Sequence, residues 1–402
     1  MGSSHPTTIL CLASYFKGER FIRTCKAMGC HVILLTRAKL ADEPWPMDAI
    51  DERFLLPRLD PGPELIHGVS YLARTRMIDR IVPLDDFDVE TAAHLREHLR
   101  IPGMGETTVR YFRDKLAMRM QAHERGIPVP AFVHALNDDR LRAYMEQVPP
   151  PWVLKPRAEA GSVGIKKLAS AEECWEVLES LGDRRSYYVL EQFLPGDVYH
   201  VDSIVSEREV VFAVASRYGR PPLRVMQEGG IFITSTLPPE STEAQLLQAL
   251  NREVIAAMGM VRGVTHAEFI RSLADGRFYF LEMAARVGGA NIDRLIEAAT
   301  GLNPWAEWAR IEVLHARGEP YTLPPVRHDH AGLITCLARQ EWPDLSAYQE
   351  PEIVWRLEKQ HHAGLLVVSP DAVRVQDLLD TYSRRFEHDF LAVLPPQETL
   401  RD

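Results

Sequence analysis

Two glutamates, Glu268 and Glu282, lie at equal distances on either side of Asp275 in the turn dipeptide Asp275-Gly276. The stretches 266–270 and 278–282 around them read as the two strands of a β-hairpin. Pairing symmetric about Asp275 sets Glu268 opposite Glu282, with Phe269 and Leu281 facing each other on the other side as a core pair. Facing side chains of an antiparallel pair have Cβ atoms about 4.5–5.5 Å apart. Two carboxylates that close repel by roughly 3 kcal/mol at an effective dielectric near 20. Protonation or a cation relieves that repulsion, and an oxygen-seeking divalent ion, magnesium carrying ATP phosphates, suits the donors. The alternative is a slipped register that leaves both glutamates solvated.

Other charged residues cluster near this pair in sequence. Arg286 follows Glu282 by two strand alternations, so Glu282, Ala284 and Arg286 point one way while the strand lasts. An arginine there can neutralise a transferring phosphoryl group or a tetrahedral oxyanion; a surface ion pair is the plainer reading. Gly288 and Gly289 then let the backbone approach a ligand closely. Further upstream, Lys155 ends the run Trp152-Val153-Leu154 and precedes Pro156 and a loop containing Gly161, Ser162 and Gly164. Backbone N–H groups of such a loop can close over phosphates, with Lys155 as the point charge at its base. No G-x-x-x-x-G-K-[ST] occurs, so this is not a P-loop. Lys115 follows Asp114 near a helix start. Glu191 precedes Gln192-Phe193-Leu194-Pro195-Gly196, either a hinge whose backbone meets an adenine edge or a simple turn.

Elements of alternating type must position these groups. Residues 9–14 read as a buried strand, 16–28 as a helix ended by Gly29, and 32–35 as a second strand, giving a β-α-β unit. Residues 80–84 form a further strand running into Asp85-Asp86, with helix to about Arg100. The first strand-to-helix turn, Ser14-Tyr15-Phe16-Lys17-Gly18, lacks G-x-G-x-x-G, which argues against a dinucleotide site. Phe112, Leu116 and Met120 recur every four residues on one helix that stops at Gly126. After the break at Pro149-Pro150-Pro151, short strands joined by the glycine loop are expected to about Val211. A helix over 244–258, the hairpin over 263–286 and a helix over 293–300 follow. Strands over 332–337, 353–357 and 364–368 then mix with a helix around 375–385.

The bulk composition is that of a soluble globular chain of several domains: 402 residues, 46% hydrophobic and 25% charged. The net charge of −10 argues against a nucleic-acid partner, whose phosphates need a basic face. No apolar run reaches the roughly 18 residues of a membrane span, and the first residues carry no signal-peptide pattern, so the expected location is the cytoplasm. Five irregularly spaced cysteines without C-x-x-C read as reduced, structural thiols, with Cys11 buried.

Taken in chain order, Asp114-Lys115, Lys155-Pro156 with its glycine loop, Glu191-Gln192-Phe193-Leu194, Thr265-His266-Ala267-Glu268 and Glu282-Met283-Ala284-Ala285-Arg286-Val287-Gly288-Gly289 resemble the ATP-grasp superfamily over about residues 105–305. The resemblance implies an α/β (α+β) ATP-grasp fold. Its parts would be an N-terminal β-α-β pre-ATP-grasp domain (1–105), a small lid subdomain with its connecting helix (106–195), a central catalytic subdomain (196–310) and a mixed C-terminal subdomain (311–402). It implies that Lys115 and Lys155 hold ATP phosphates, and that Glu191 with the backbone through Phe193 and Leu194 binds adenine. Gly161, Ser162 and Gly164 would close over the γ-phosphate, Glu268 and Glu282 would hold magnesium, with manganese as the alternative ion, and Arg286 would steady an acyl phosphate. Two positions depart from the family pattern. Ala284 stands where many members have asparagine, which leaves one or two metal ions open, and Val198 stands where an acid often binds ribose, with Asp197 or His200 as substitutes.

The order T-H-x-E then E-x-x-x-R-x-G-G resembles the carboxylate–amine ligase branch, which includes the L-amino acid ligases. That branch implies small-molecule carboxylate and amine substrates, and a homodimer is common in such families. Arg217 is a candidate clamp for a substrate carboxylate and Glu228 for an amino group, with Gly229, Gly230 and Asn291 nearby; a solvated loop is the plainer reading of each. His266 either lines the site beside Glu268 or packs in the core. His328-Asp329-His330 and His361-His362 lack further ligands at metal-binding spacing. Two other readings stay open: an ATP-grasp enzyme acting on bicarbonate or a purine precursor, and a non-catalytic ATP-binding regulator.

Overall fold

The computed structural model describes residues 6–161 and 163–393. Strands β1 (Thr8–Ala13), β2 (His31–Arg37), β3 (Glu52–Leu56) and β4 (Arg80–Pro83) form an all-parallel sheet in the order β3-β2-β1-β4. Helix α1 (Glu19–Ala27) packs on one face, and α2 (Pro63–Ala73) and α3 (Val89–Leu99) pack on the other. With both faces covered, every residue of β1 is buried, and its sequence is a continuous apolar run rather than an alternation. The β-α-β unit is as expected. Helix α1 starts three residues later than the apolar pattern suggests, because Gly18 takes a left-handed φ of 79° against Leu84.

Where the four-residue period predicted one helix, there are two: α4 (Glu106–Arg113) and α5 (Lys115–Glu124). Asp114 breaks them with an extended backbone, and its Oδ1 accepts the N–H groups of Leu116 (3.0 Å) and Ala117 (3.3 Å). This is a local N-cap outcompeting a regular period. It places Lys115 at the first position of α5, and it turns Met120 out to solvent (49% exposed).

A second sheet, antiparallel and in the order β5-β8-β6-β7, is built from β5 (Phe132–His134), β6 (Trp152–Pro156), β7 (Lys166–Leu168) and β8 (Tyr188–Gln192). It is backed by α6 (Asp138–Gln147) and α7 (Ala171–Leu181), with a core of its own around Trp152, Leu154 and Leu178. The short-strand reading of this region overlooked α7. Its start was written in the sequence as a capping-box variant: Ser170 Oγ accepts the Glu173 N–H (3.2 Å), and the Glu173 carboxylate accepts the Ala169 N–H (2.7 Å).

The third sheet has eight strands: β9 (Gly196–Ser206), β10 (Glu209–Tyr218), β11 (Phe232–Thr236), β12 (Gly263–Ser272), β13 (Phe278–Ala284), β14 (His330–Leu337), β15 (Ile353–Arg356) and β16 (His362–Ser369). Their order is β13-β12-β9-β10-β11-β14-β16-β15. Around Arg217 and Glu228, where a solvated loop is the plainer reading of the sequence, the chain instead forms the end of β10, the short helix α8 (Pro222–Glu228) and β11. Strand β11 pairs with β14, so the C-terminal strands continue the central sheet across residue 310. Helix α9 (Thr242–Met258) joins α4 and α5 over one face of this sheet. Helix α10 (Ile292–Thr300) packs on the other, α11 (Pro304–Ala316) reaches back to α1, and α12 (Ala372–Asp389) covers β14 and β16. All five cysteines are buried and unpaired. Among the described residues no helix is long and apolar enough to cross a membrane.

Candidate active site

Glu268 and Glu282 are direct partners across β12 and β13. The hairpin reaches that pairing by a different route from a turn symmetric about Asp275. The register shifts between Glu268 and Phe269, so Phe269 pairs with Phe280 and Leu281 is the extra residue of a bulge. The expected Phe269–Leu281 core pair is therefore corrected. Phe280 is the buried partner, its ring centroid 5.8 Å from that of Phe269, while Leu281 turns to the cavity described next.

A cavity of about 670 Å³ separates the second sheet from the third. Lys155, Ile165 and Lys167 line it on one side, Glu268, Ile270 and Glu282 on the other, and Phe193, Leu194 and Pro195 close its back. Both lysines singled out in the sequence reach it. Lys115 Nζ lies 3.1 Å from Glu282 Oε2 and donates to the Glu159 carbonyl (2.6 Å). Lys155 Nζ donates to Glu191 Oε2 (2.8 Å). Gly161 and Gly164, at φ 66° and 68°, supply the left-handed turns of the loop between β6 and β7; Ser162 lies outside the described residues. Helix α8 reaches that loop through Gln227, whose Nε2 donates to the Ile165 carbonyl (3.0 Å).

Glu191 lines the cavity, but its carboxylate is bound within the protein. Burial pushes the carboxyl up, and Arg119 and Lys155 more than offset this, holding it at about 2. Arg119, fully buried on α5 with Nε 3.1 Å from Glu191 Oε1, was not found from the sequence. Only its fourfold spacing from Lys115 on one helix face could have pointed to it.

Arg286 leaves the end of β13 and meets the parallel sheet. Its Nη2 is 3.3 Å from Oδ2 of Asp86, which also takes Arg113 at 3.3 Å. Burial opposes the charge of Asp86 and of Arg286, yet Asp86 is held below the usual carboxylate range by Arg286 and Arg113, and Arg286 is raised above its own by Asp86 and Asp85. The acidic patch after β4 thus serves as the counter-charge of the candidate catalytic arginine.

One face of the third sheet carries a row of polar side chains, because residues two apart in a strand share a face and cross-strand partners align. His266 pairs with Asp202 and Glu268 with His200 between β12 and β9, and Tyr218 pairs with Thr234 between β10 and β11. Asp202 accepts from His200 Nδ1 (2.6 Å) and His266 Nδ1 (2.9 Å), His200 Nε2 meets Thr234 Oγ1 (2.7 Å), and the Tyr218 hydroxyl donates to Glu268 Oε1 (2.8 Å). Burial disfavours charge here, but Asp202 raises His266 to about 10, and the two histidines hold Asp202 far below the usual range. Glu268 is likewise lowered despite burial, by His266 and Tyr218.

Residues 148–293 match the ATP-grasp domain family. The fold is ATP-grasp. The L-arginine-specific L-amino acid ligase of Bacillus subtilis is 27% identical over 295 residues, 69% of this chain and 70% of that protein. The crystal structure of L-amino acid ligase from Bacillus licheniformis aligns with a TM-score of 0.76 at 16% identity, covering 98% of this chain and 100% of that one. N5-carboxyaminoimidazole synthetase from Staphylococcus aureus, solved with ADP, aligns with a TM-score of 0.71 at 15% identity over 94% and 96% of the two chains. The two structural likenesses show the fold alone. The ATP-grasp match contains Lys155, the glycine loop, Glu191 and both paired glutamates. Lys115 and Asp86 fall before it.

Among the described residues, the cavity fits a hard divalent ion beside Glu268 and Glu282. Glu268 and Glu282 both line the cavity and supply carboxylate oxygens, the donors magnesium and manganese prefer, while Ala284 supplies none. His200, Asp202 and His266 also converge, but their contacts of 2.6 and 2.9 Å are those of hydrogen bonds. Two ligand atoms on a tetrahedral ion at ~2.0–2.2 Å sit roughly 3.4 Å apart.

Several sequence candidates are not brought to the wall of this cavity. Arg217 lies on the other face of β10 from Ser216 and Tyr218, is 47% exposed on its side chain and pairs with Asp197 (2.8 Å). The period of two that aims Tyr218 at Glu268 turns its neighbour away. His266 is buried in the polar row, with its Nε2 3.7 Å from Glu268 Oε1. A Cβ at Gly288 would stand 3.0 Å from both Asp202 Oδ1 and His266 Nδ1, so its bareness serves that row. Gly289 is exposed with no atom near its Cβ position, Gly229 abuts Val393, and Asn291 opens α10 in a left-handed conformation (φ 63°). Glu228 does line the cavity, with its carboxylate held by Arg220 (3.0 Å) and Arg224 (3.1 Å).

Proposed function

We propose that this ATP-grasp chain is a carboxylate–amine ligase that joins amino-acid-like substrates by an amide or peptide bond. The observation that carries this reading is the facing pair Glu268 and Glu282 in the wall of a 670 Å³ cavity that Lys115 and Lys155 also enter. The 27% identity to an L-arginine-specific L-amino acid ligase supports the choice of substrate class. In this reading an oxygen of the substrate carboxylate attacks the γ-phosphorus of ATP and ADP leaves. The amine nitrogen then attacks the acyl carbon, phosphate leaves, and the nitrogen gives up a proton.

The chain's residues divide this work by position. Lys155 and Lys115 offer point charges to the phosphates, exchanging their present contacts with Glu191 and Glu282 for phosphate oxygens. The stretch from Glu191 to Leu194 presents backbone groups to the adenine at the back of the cavity, where Phe193 and Leu194 supply apolar surface. The loop through Gly161 and Gly164 closes over the phosphates and excludes water, which would otherwise hydrolyse an acyl phosphate. Glu268 and Glu282 would hold a divalent ion, which would supply neutralisation of phosphate charge. Arg286 leaves Asp86 for the developing oxyanion.

The test is ADP release with magnesium and ATP across paired amino acids and small carboxylates, with Glu282→Gln as the control. Release that requires both a carboxylate and an amine establishes the ligase. Release that requires bicarbonate or a ribonucleotide replaces it with the reading of an enzyme acting on bicarbonate or a purine precursor. ATP binding with no substrate-dependent release replaces it with the regulator.

A further inference from the structure

We propose that Tyr218 is a positioning residue of this site: its hydroxyl, held by the chain Thr234–His200–Asp202–His266, fixes Glu268 in the orientation that faces Glu282. The proposal rests on the ligase reading only in assigning Glu268 to a cation.

Both ring nitrogens of His200 are engaged in the chain, Nε2 with the Thr234 hydroxyl and Nδ1 with Asp202 Oδ2. The other oxygen of Asp202 accepts from His266 Nδ1. His266 Nε2 points at the Tyr218 hydroxyl at 3.4 Å, and the single hydroxyl proton of Tyr218 goes to Glu268 Oε1 at 2.8 Å. Every group spends its capacity inside the chain except Glu268, where the chain ends at the cavity wall. One Glu268 oxygen is thereby occupied, and the other is the one available to a cation.

Packing holds the tyrosine in place as firmly as the hydrogen bonds do. Its ring lies between His200 (centroids 4.7 Å apart) and Phe232 (5.6 Å). All five members of the chain are buried, so none of these contacts competes with bulk water. Gly288, which follows Arg286 by two residues, allows the close approach of Asp202 and His266. A purely structural network would close on itself in the core. This one runs across four neighbouring strands and terminates on a carboxylate paired with Glu282.

Tyr218→Phe keeps the ring and removes the hydroxyl. In the full-length protein, Mn2+ binding is measured by the electron paramagnetic resonance signal of free Mn2+ with a non-hydrolysable ATP analogue present. The analogue's own affinity without divalent ions and the thermal midpoint are measured alongside. The expected result is a loss of Mn2+ affinity of about tenfold or more, as for other residues that orient a metal ligand, with metal-free nucleotide affinity and thermal midpoint retained. Gly288→Ala, which pushes on Asp202 and His266 without touching Glu268, is expected to weaken Mn2+ in the same sense. Unchanged Mn2+ affinity in Tyr218→Phe, with Glu268→Gln weakened, overturns the positioning role and leaves the metal assignment standing. Unchanged affinity in Glu268→Gln removes the metal assignment itself, and the proposal with it.

Discussion

Arg286 Nη2 lies 3.3 Å from Asp86 Oδ2, a contact that ties the end of β13 to the loop after β4 across 200 residues of sequence. Asp86 is shared with Arg113, so one buried carboxylate faces two guanidinium groups. The parallel sheet thus supplies the counter-charge from which Arg286 would have to part in order to meet a substrate oxyanion.

Arg286→Ala is expected to lower turnover by about 10²–10³, the range for removal of one group that stabilises a developing oxyanion. ATP affinity should change far less. Steady-state kinetics beside nucleotide binding checks this, and the reverse pattern would place Arg286 in ground-state binding.

Glu282→Gln keeps the volume of the side chain and removes its charge beside Lys115. Turnover should fall at least a hundredfold, on the order seen for loss of such electrostatic groups, with the circular dichroism spectrum unchanged. Near-normal ADP release would remove the paired-carboxylate mechanism.

Glu191 ties stability to acid pH. Burial raises its carboxyl, but Arg119 and Lys155 depress it from 4.5 to about 2, so its contribution is present above pH 4.5 and is lost as the pH falls through 2. Glu191→Gln strands the buried Arg119, and an unpaired buried charge costs about 3–5 kcal/mol at neutral pH. Thermal unfolding should show the variant less stable at pH 7 and its deficit shrinking between pH 4.5 and 2. A deficit that stays constant across that window would mean the carboxylate is not the group being lost.

Arg217→Ala tests the reassignment of a candidate. Its side chain is half exposed and paired with the similarly exposed Asp197, a pair that contributes little. The variant should differ by within about 0.5 kcal/mol in stability, with Michaelis constants for all substrates unchanged. A rise for one substrate alone would return Arg217 to the site.

Local signals carried much of the architecture. The apolar runs of β1 and β2, the glycines ending helices and the strand pairs around Asp275 are short-range patterns, and they appear in the structure within a few residues of where the sequence placed them. So did the convergence of Lys115, Lys155, Glu268 and Glu282, because family order along the chain stood in for distance. Helix α7 was within reach too, since Ser170 and Glu173 are a local cap.

By itself the sequence determined most types of element and the acidic hairpin, which follow from side-chain periods and turn chemistry over ten to twenty residues, while the ATP-grasp resemblance came from the order of motifs over about residues 105–305. The tertiary structure alone decided the rest. The bulge at Leu281 depends on how Phe269 and Phe280 fill one core. The row from Thr234 to Glu268 depends on which strands become neighbours, and β9, β10, β11 and β12 meet in an order no local pattern encodes. Asp86 and Arg119 became visible as partners only once burial forced each charge to find an opposite one.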